Sequence, residues 1–131
     1  MEASILAKQI IVLRDNFTKG YTRPLSWRKA QLLSLQIMLR DHYTDFEAAL
    51  RTDLHKSAFE TYATEIGFLE RELEHVLAHL DHWTKPQRTQ TPIFLQPGNS
   101  RVIFEPLGVA LIVGACNYPM QLTIGPLVAS I

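Results

Sequence analysis

The chain has 131 residues, of which 47% are hydrophobic and 20% charged, and its 13 basic and 13 acidic side chains give a formal net charge of zero. This length suits one domain with a core of its own, and the apolar content excludes a disordered tail. The balanced charge provides no basic footprint for nucleic-acid binding. A single cysteine excludes an intrachain disulfide framework.

The first half of the chain predicts a series of amphipathic helices. Apolar side chains recur at helical spacing over residues 3–18, and Gly20 supplies a stop signal after them. Pro24 suits the first turn of a second helix, where its missing N–H has no helical partner. Thr44 begins a capping-box pattern that predicts a third helix ending near Leu54.

The most regular helical pattern runs from Ser57 to Trp83. Ser57 and Glu60 match a second capping box, and no proline interrupts the residues after them. The pattern predicts one helix about 40 Å long. Its apolar stripe comprises Phe59, Tyr62, Ile66, Leu69, Leu73, Val76, Leu80 and Trp83. The stripe either packs on the protein's own core, which is the interpretation we favour, or binds a partner helix.

Strand and turn residues dominate the part of the chain after the helices. Ile93–Gln96 and Arg101–Phe104 flank the turn Pro97–Ser100, which predicts a β-hairpin. No charged residue follows Glu105. Leu107–Val113 is apolar at nearly every position, which is typical of a parallel strand buried on both faces.

A turn and the beginning of a helix come after this predicted strand. The whole apolar stretch is long enough to span a bilayer. However, Asn117, Pro119 and Pro126 interrupt it and no basic cluster flanks it, so a membrane span is the less favoured interpretation. The helix reaches Ile131 without a capping glycine or a basic last turn, so we expect the chain to be the N-terminal part of a longer protein.

Three sets of side chains are candidates for chemistry. Cys116 follows the predicted strand, but no His or charged residue is near it in sequence, which favours a buried structural thiol over a nucleophile. His75, His79 and His82 have a spacing that metal ligands can have, although solvated histidines remain the favoured interpretation. Asn117 lies where α/β proteins bind ligands, and it is either a turn residue or an amide that donates to an oxyanion.

The chain contains several short motifs, none of which is unique by itself. Their order and spacing along the chain are specific when taken together. The motifs are Thr22-Arg23-Pro24-Leu25-x-Trp27-Arg28, Asp53-Leu54-His55-Lys56, Glu105-Pro106-Leu107-Gly108-Val109, Gly114-Ala115-Cys116-Asn117-Tyr118-Pro119 and Leu122-Thr123-Ile124-x-Pro126-Leu127-Val128. Together they resemble the aldehyde dehydrogenase superfamily, and its class 3 branch most closely. The likeness covers nearly the whole chain.

The resemblance implies an α/β fold with a doubly wound, Rossmann-like nucleotide-binding domain, a catalytic domain and an oligomerisation hairpin. The chain would be a truncated, N-terminal part of that fold. Residues 1–85 would form a helical layer and residues 86–105 the hairpin strands. Residues 106–131 would form the first parallel strand and the start of the following helix.

The resemblance also implies an NAD(P)-dependent enzyme that oxidises an aldehyde to a carboxylic acid through a Cys thiohemiacetal and thioester. The cofactor would be NAD or NADP, and no metal is expected. Asn117 matches the family's catalytic Asn, whose amide donates to the oxyanion. Gly114, Ala115, Cys116 and Asn117 match the residues that border the nicotinamide, and Cys116 replaces a Trp that is common in the family. Since the family's catalytic Cys and general base lie downstream, the 131 residues alone are expected to be inactive.

The implied partners are an aldehyde substrate and a second copy of the chain, because class 3 relatives are commonly homodimers. A cytoplasmic location is expected, with no nucleic acid and no membrane segment in this chain, although some relatives carry a C-terminal anchor. The alternative from another class is a non-catalytic helical interaction module that uses the 59–83 stripe. A catalytic Cys segment in the downstream reading frame would discriminate between the two.

Overall fold

The computed structural model describes the backbone of residues 2–131 and the side chains of residues 5–131. Helices make up most of it, with one small antiparallel sheet near residue 100. The elements in chain order are α1 (Glu2–Thr18), α2 (Leu25–Asp41), α3 (Tyr43–Leu54), α4 (Ala58–Thr61), a π-helical turn (Tyr62–Ile66), α5 (Gly67–Trp83), β1 (Gln87–Thr89), a 3-10 turn (Ile93–Leu95), β2 (Ser100–Val102) and α6 (Gln121–Ser130).

The junction between α1 and α2 confirms the predicted stop signal, but Pro24 is the N-cap of α2 rather than a residue of its first turn. Gly20 has a φ of +79°, a conformation in which a side chain is strained, and its N–H donates to the carbonyl of Phe17 at 2.9 Å. Pro24 is the residue immediately before α2. Residues that are close in sequence therefore determine where α1 ends and where α2 begins.

The third helix forms where expected, but the predicted capping box is wrong. Thr44 lies inside α3, and His42 occupies the N-cap position instead. The His42 ring nitrogen Nδ1 lies 3.0 Å from Oδ2 of Asp45. The helix begins earlier than predicted because α2 ends at Asp41, so only His42 separates the two helices.

The long helical segment from Ala58 to Trp83 is present, and its N-cap is confirmed because the Ser57 hydroxyl accepts from the N–H of Glu60 at 3.1 Å. The π turn inside it was not predicted. A π turn adds one residue to a helical turn, and it rotates the helix before the turn relative to the helix after it. The predicted stripe is therefore wrong at its start: Phe59 is 81% exposed and Tyr62 51% exposed. Thr61 and Glu65 are buried in their place.

Gly67 is the residue that lets the π turn close tightly. A Cβ at this position would lie 2.8 Å from the carbonyl oxygen of Tyr62 and 2.9 Å from its ring. Contacts that short are sterically forbidden, so only glycine fits without a shift of the backbone. Gly67 is thus part of the structure of the turn.

From Ile66 onward, the predicted stripe packs on the protein's own core, as favoured. The core joins α2, α3, α5 and α6, and its buried hydrophobic members are Leu32, Leu39, Leu50, Ile66, Leu69, Leu73, Leu80, Met120 and Val128. The stripe is therefore covered from Ile66 to Leu80, whereas its last residue, Trp83, is 43% exposed. Lys29 and Asp81 form an ion pair of 2.6 Å that ties α2 to α5 beside this core.

A hairpin is present after Pro86, but its first strand was predicted in the wrong place. β1 and β2 are antiparallel, with Gln87 opposite Val102 and Thr89 opposite Ser100. The predicted strand Ile93–Gln96 is instead a 3-10 turn over Ile93–Leu95. Prolines flank this segment on both sides, and a proline has no N–H to donate to a strand ladder.

Leu107–Val113 does not form the predicted parallel strand in this structure. A strand exists by hydrogen bonding to a neighbour, and in residues 2–131 the only sheet is that of β1 and β2. The segment is largely exposed, with Leu107, Leu111 and Val113 among its most exposed side chains. The helix predicted after it is confirmed as α6.

Candidate active site

The predicted site residues lie in the connection that leads into α6. Cys116 and Asn117 form a turn, and both are exposed. The first N–H groups of α6 come within a few residues, and the N–H of Leu122 donates to the carbonyl of Tyr118 at 2.9 Å. Asn117 therefore has an accessible amide close to the positive end of a helix. This arrangement suits donation to a developing negative charge.

Gly114 allows the chain to approach α6 closely before this turn. A Cβ at Gly114 would overlap the side chain of Thr123, a residue of the first turn of α6. A larger residue would fit only if the Thr123 hydroxyl moved. Gly114, Ala115, Cys116 and Asn117 are all exposed.

The favoured interpretation of Cys116 as a buried structural thiol is wrong, since the side chain is exposed. The reason is that the segment before it, Leu107–Val113, is not covered by a sheet. No hydrogen bond or ion pair to the thiol is found among the residues that the structure describes. The geometry therefore adds no activating group to a nucleophilic role.

A buried ion pair contacts the turn and the start of α6. The sequence analysis did not predict its two residues as site residues. Lys56 is 6% exposed and Glu65 is fully buried, and Nζ of Lys56 lies 2.5 Å from Oε1 of Glu65. The other carboxylate oxygen of Glu65 accepts from the N–H groups of Met120 at 2.9 Å and Gln121 at 3.0 Å. Lys56 also lies over the ring of Tyr118, 4.1 Å from its centroid.

One sequence signal could have indicated this pair. Glu65 falls beside the apolar stripe of the long helix, where a charged residue is unusual unless it is paired. Its partner Lys56 stands out in the sequence only as the last residue of the Asp53–Lys56 motif. The π turn, which rotates Glu65 into the core, is the feature that the pattern of apolar residues does not reveal.

Two of the three histidine rings of α5 lie beside one another and beside Trp83. The ring centroids of His75 and His79 are 4.2 Å apart with the ring planes tilted by 33°, and His79 stacks on Trp83 at 5.6 Å. Nδ1 of His79 lies 2.8 Å from the carbonyl oxygen of His75. Across the described residues, no three His, Cys, Asp or Glu side chains are grouped so that they could hold a metal ion.

Within the described part of the chain, no helix is both long enough and apolar enough to cross a membrane.

Comparison with known proteins identifies the fold first. The structure "Substrate bound state of Staphylococcus Aureus AldH" superposes with a TM-score of 0.92 at 34% sequence identity, over 95% of this chain and 27% of that one. The fold is thus that of a segment of an aldehyde dehydrogenase, as the resemblance implied. No family model matches the sequence.

Sequence comparison then narrows the class to family 3. The Dictyostelium discoideum protein named aldehyde dehydrogenase family 3 comG is 35% identical over 98% of this chain. A protein of Canis lupus familiaris, named aldehyde dehydrogenase, dimeric NADP-preferring, is 36% identical over 90% of it. The chain spans only about a quarter of the length of these relatives. The chain is similar to a segment of aldehyde dehydrogenase family 3 proteins, and the resemblance to class 3 is confirmed.

Proposed function

We propose that this chain is the N-terminal portion of an NAD(P)-dependent aldehyde dehydrogenase that oxidises an aldehyde to a carboxylic acid. The names of the similar proteins support the reaction class. Within that proposal, residues 1–85 form the helical layer, residues 86–105 the hairpin strands, and residues 106–131 the first segment of the nucleotide-binding domain. The catalytic Cys and the general base are then supplied from outside these 131 residues.

The observation that carries the proposal is the placement of Asn117. Its side chain is exposed in the turn that leads into α6. An amide N–H donates a hydrogen bond without adding a charge. That bond is stronger to the negatively charged oxygen of the intermediate than to the neutral carbonyl oxygen of the aldehyde. We assign to Asn117 the role of donating to the oxygen of the thiohemiacetal formed between the aldehyde and the catalytic Cys.

The residues before Asn117 fit a nicotinamide. Gly114, Ala115 and Cys116 have small side chains and are exposed, so a flat ring can lie against this edge without a bulky neighbour. NAD or NADP, when bound, supplies the hydride acceptor. Cys116, in the position of the family's Trp, widens this part of the site.

A homodimer and a cytoplasmic location complete the proposal. The name of the dog relative describes that protein as dimeric and NADP-preferring, which supports both a dimer and the use of NADP. Light scattering of the purified enzyme tests the oligomeric state.

The test of the proposed role is to replace Asn117 in the enzyme expressed from its complete coding sequence. Removal of one oxyanion donor lowers kcat by roughly 10²–10³, so Asn117→Ala should reduce kcat strongly with little change in KM. Asn117→Asp should be at least as damaging, because a carboxylate repels the developing negative charge. Steady-state kinetics with aldehyde and NAD(P) measure both effects.

The matched control is Asn99→Ala, which removes another exposed amide from the hairpin turn. It should retain the kcat of the unmodified enzyme. A near-normal kcat in Asn117→Ala would assign Asn117 to the turn alone.

A further inference from the structure

The buried pair of Lys56 and Glu65 contacts the Asn117 turn from two sides. Glu65 accepts from the N–H groups of Met120 and Gln121, on the helical side of the turn. Lys56 lies over the ring of Tyr118, the residue directly after Asn117. The two side chains therefore fix the backbone and an aromatic ring within a few residues of the amide.

A contribution to folding stability does not by itself explain why two charged side chains are buried here. Removing two charges from water is costly, and apolar side chains of similar volume often stabilise a protein as well or better. Apolar side chains cannot accept from two backbone N–H groups, however, and α6 has no side-chain cap of its own. The ion pair adds a defined position for the start of α6 and for the turn before it.

We propose that Lys56 and Glu65 are positioning residues that orient the Asn117 amide towards the substrate oxygen. This inference rests on the proposed function and extends it. Glu65 holds the two N–H groups at the start of α6. Lys56 holds Glu65 in place and packs against Tyr118. Neither side chain is assigned a contact with the substrate, since both are buried.

The experiment separates positioning from stability in the enzyme expressed from its complete coding sequence. The double variant Lys56→Met/Glu65→Leu replaces the pair by apolar side chains, which should preserve the fold but release the N–H groups of Met120 and Gln121. Lys56→Arg keeps the charge. The control, Lys29→Met/Asp81→Leu, removes an ion pair of 2.6 Å that does not contact the turn.

Three quantities are measured besides the melting temperature: kcat, KM for NAD(P), and the rate of amide hydrogen exchange in the peptide that covers residues 116–122. The first double variant should stay folded but melt at a lower temperature, because two N–H groups lose their acceptor. It should lose about 10²-fold in kcat, as misplacement of a catalytic group does, and exchange faster in that peptide alone. KM for NAD(P) should stay unchanged, and Lys56→Arg should recover part of kcat. The control should match the unmodified enzyme in all three.

A folded double variant with normal kcat, or with unchanged exchange in residues 116–122, would overturn the inference. If the double variant does not fold, Glu65→Gln carries the test, because it keeps the shape of the side chain and one acceptor while losing the charge. Lack of aldehyde turnover in the unmodified enzyme would instead refute the proposed function. In that event the exchange rates still decide whether the pair holds the turn.

Discussion

Gly67→Ala provides a sharp test of the π turn, because helix propensity and steric fit predict opposite signs. Replacing a glycine by alanine in a helix interior normally stabilises it by about 1 kcal/mol. At Gly67, however, the new Cβ would lie 2.8 Å from the carbonyl oxygen of Tyr62, which is backbone and cannot rotate away. Either the helix shifts or the π turn is lost.

The chain contains a second helical glycine for comparison. Gly125, in α6, has no atom within 4 Å of the position its Cβ would take, apart from its chain neighbours and the backbone of its own helix. Pro126 follows directly, and a proline disfavours a helical residue with a Cβ before it, so Gly125→Ala should gain less than about 1 kcal/mol. Forcing an atom into a closely packed site costs about 1–3 kcal/mol, which outweighs the gain in propensity at Gly67.

Urea denaturation followed by circular dichroism measures the free energy of unfolding of each variant. We expect Gly67→Ala to be less stable than Gly125→Ala by about 1–2 kcal/mol, since overpacking costs about 1–3 kcal/mol and the gain in propensity is smaller at Gly125. Equal stability, or a more stable Gly67→Ala, would refute the argument that Gly67 is required by its approach to Tyr62.

Three further outcomes are expected. Leu73→Ala, at a fully buried core position, should lower the free energy of unfolding by about 2–5 kcal/mol, whereas Leu33→Ala at a half-exposed position should change it by less than about 0.5 kcal/mol; urea denaturation measures both. Burial and the neighbouring Glu47 carboxylate raise the pKa of Tyr43 above its ordinary value of 10.0. The unfolded chain then releases this proton at lower pH than the folded protein, so stability falls as pH rises above about 10. Tyr43→Phe should reduce that fall in alkaline denaturation curves, and Tyr21→Phe, at an exposed ring, is the control. Finally, the 131 residues alone should produce no NAD(P)H from an aldehyde, and turnover that Cys116→Ser abolishes would show that this cysteine is catalytic after all.

The helices were predictable because their signals are local. The end of α1 at a glycine with positive φ, the start of α2 after Pro24 and the Ser57 cap each depend on residues that are neighbours in sequence. The capping box at Thr44 was wrong for a related reason: the end of α2, not the Thr hydroxyl, determines where α3 begins. Local patterns specify elements well and their exact junctions less well.

The features that were missed depend on contacts distant in sequence. A strand at Leu107–Val113 needs a neighbour, and the apolar pattern of one segment says nothing about which neighbour is present. Likewise, the burial of Glu65 results from the π turn and from N–H groups more than fifty residues away. The sequence therefore predicted Asn117 as a site candidate but not the pair beneath it.

The cap that Glu65 provides for α6 has a consequence for the order of folding. α6 has ten residues, no side-chain cap of its own and a proline inside it, and isolated helices shorter than about 12–15 residues are marginal in water. Its acceptor comes from a residue 55 positions earlier, so a large loop must close before the cap exists. We therefore expect α6 to assemble late, after the long helix has formed. Loss of the Glu65 carboxylate should then speed unfolding more than it slows folding.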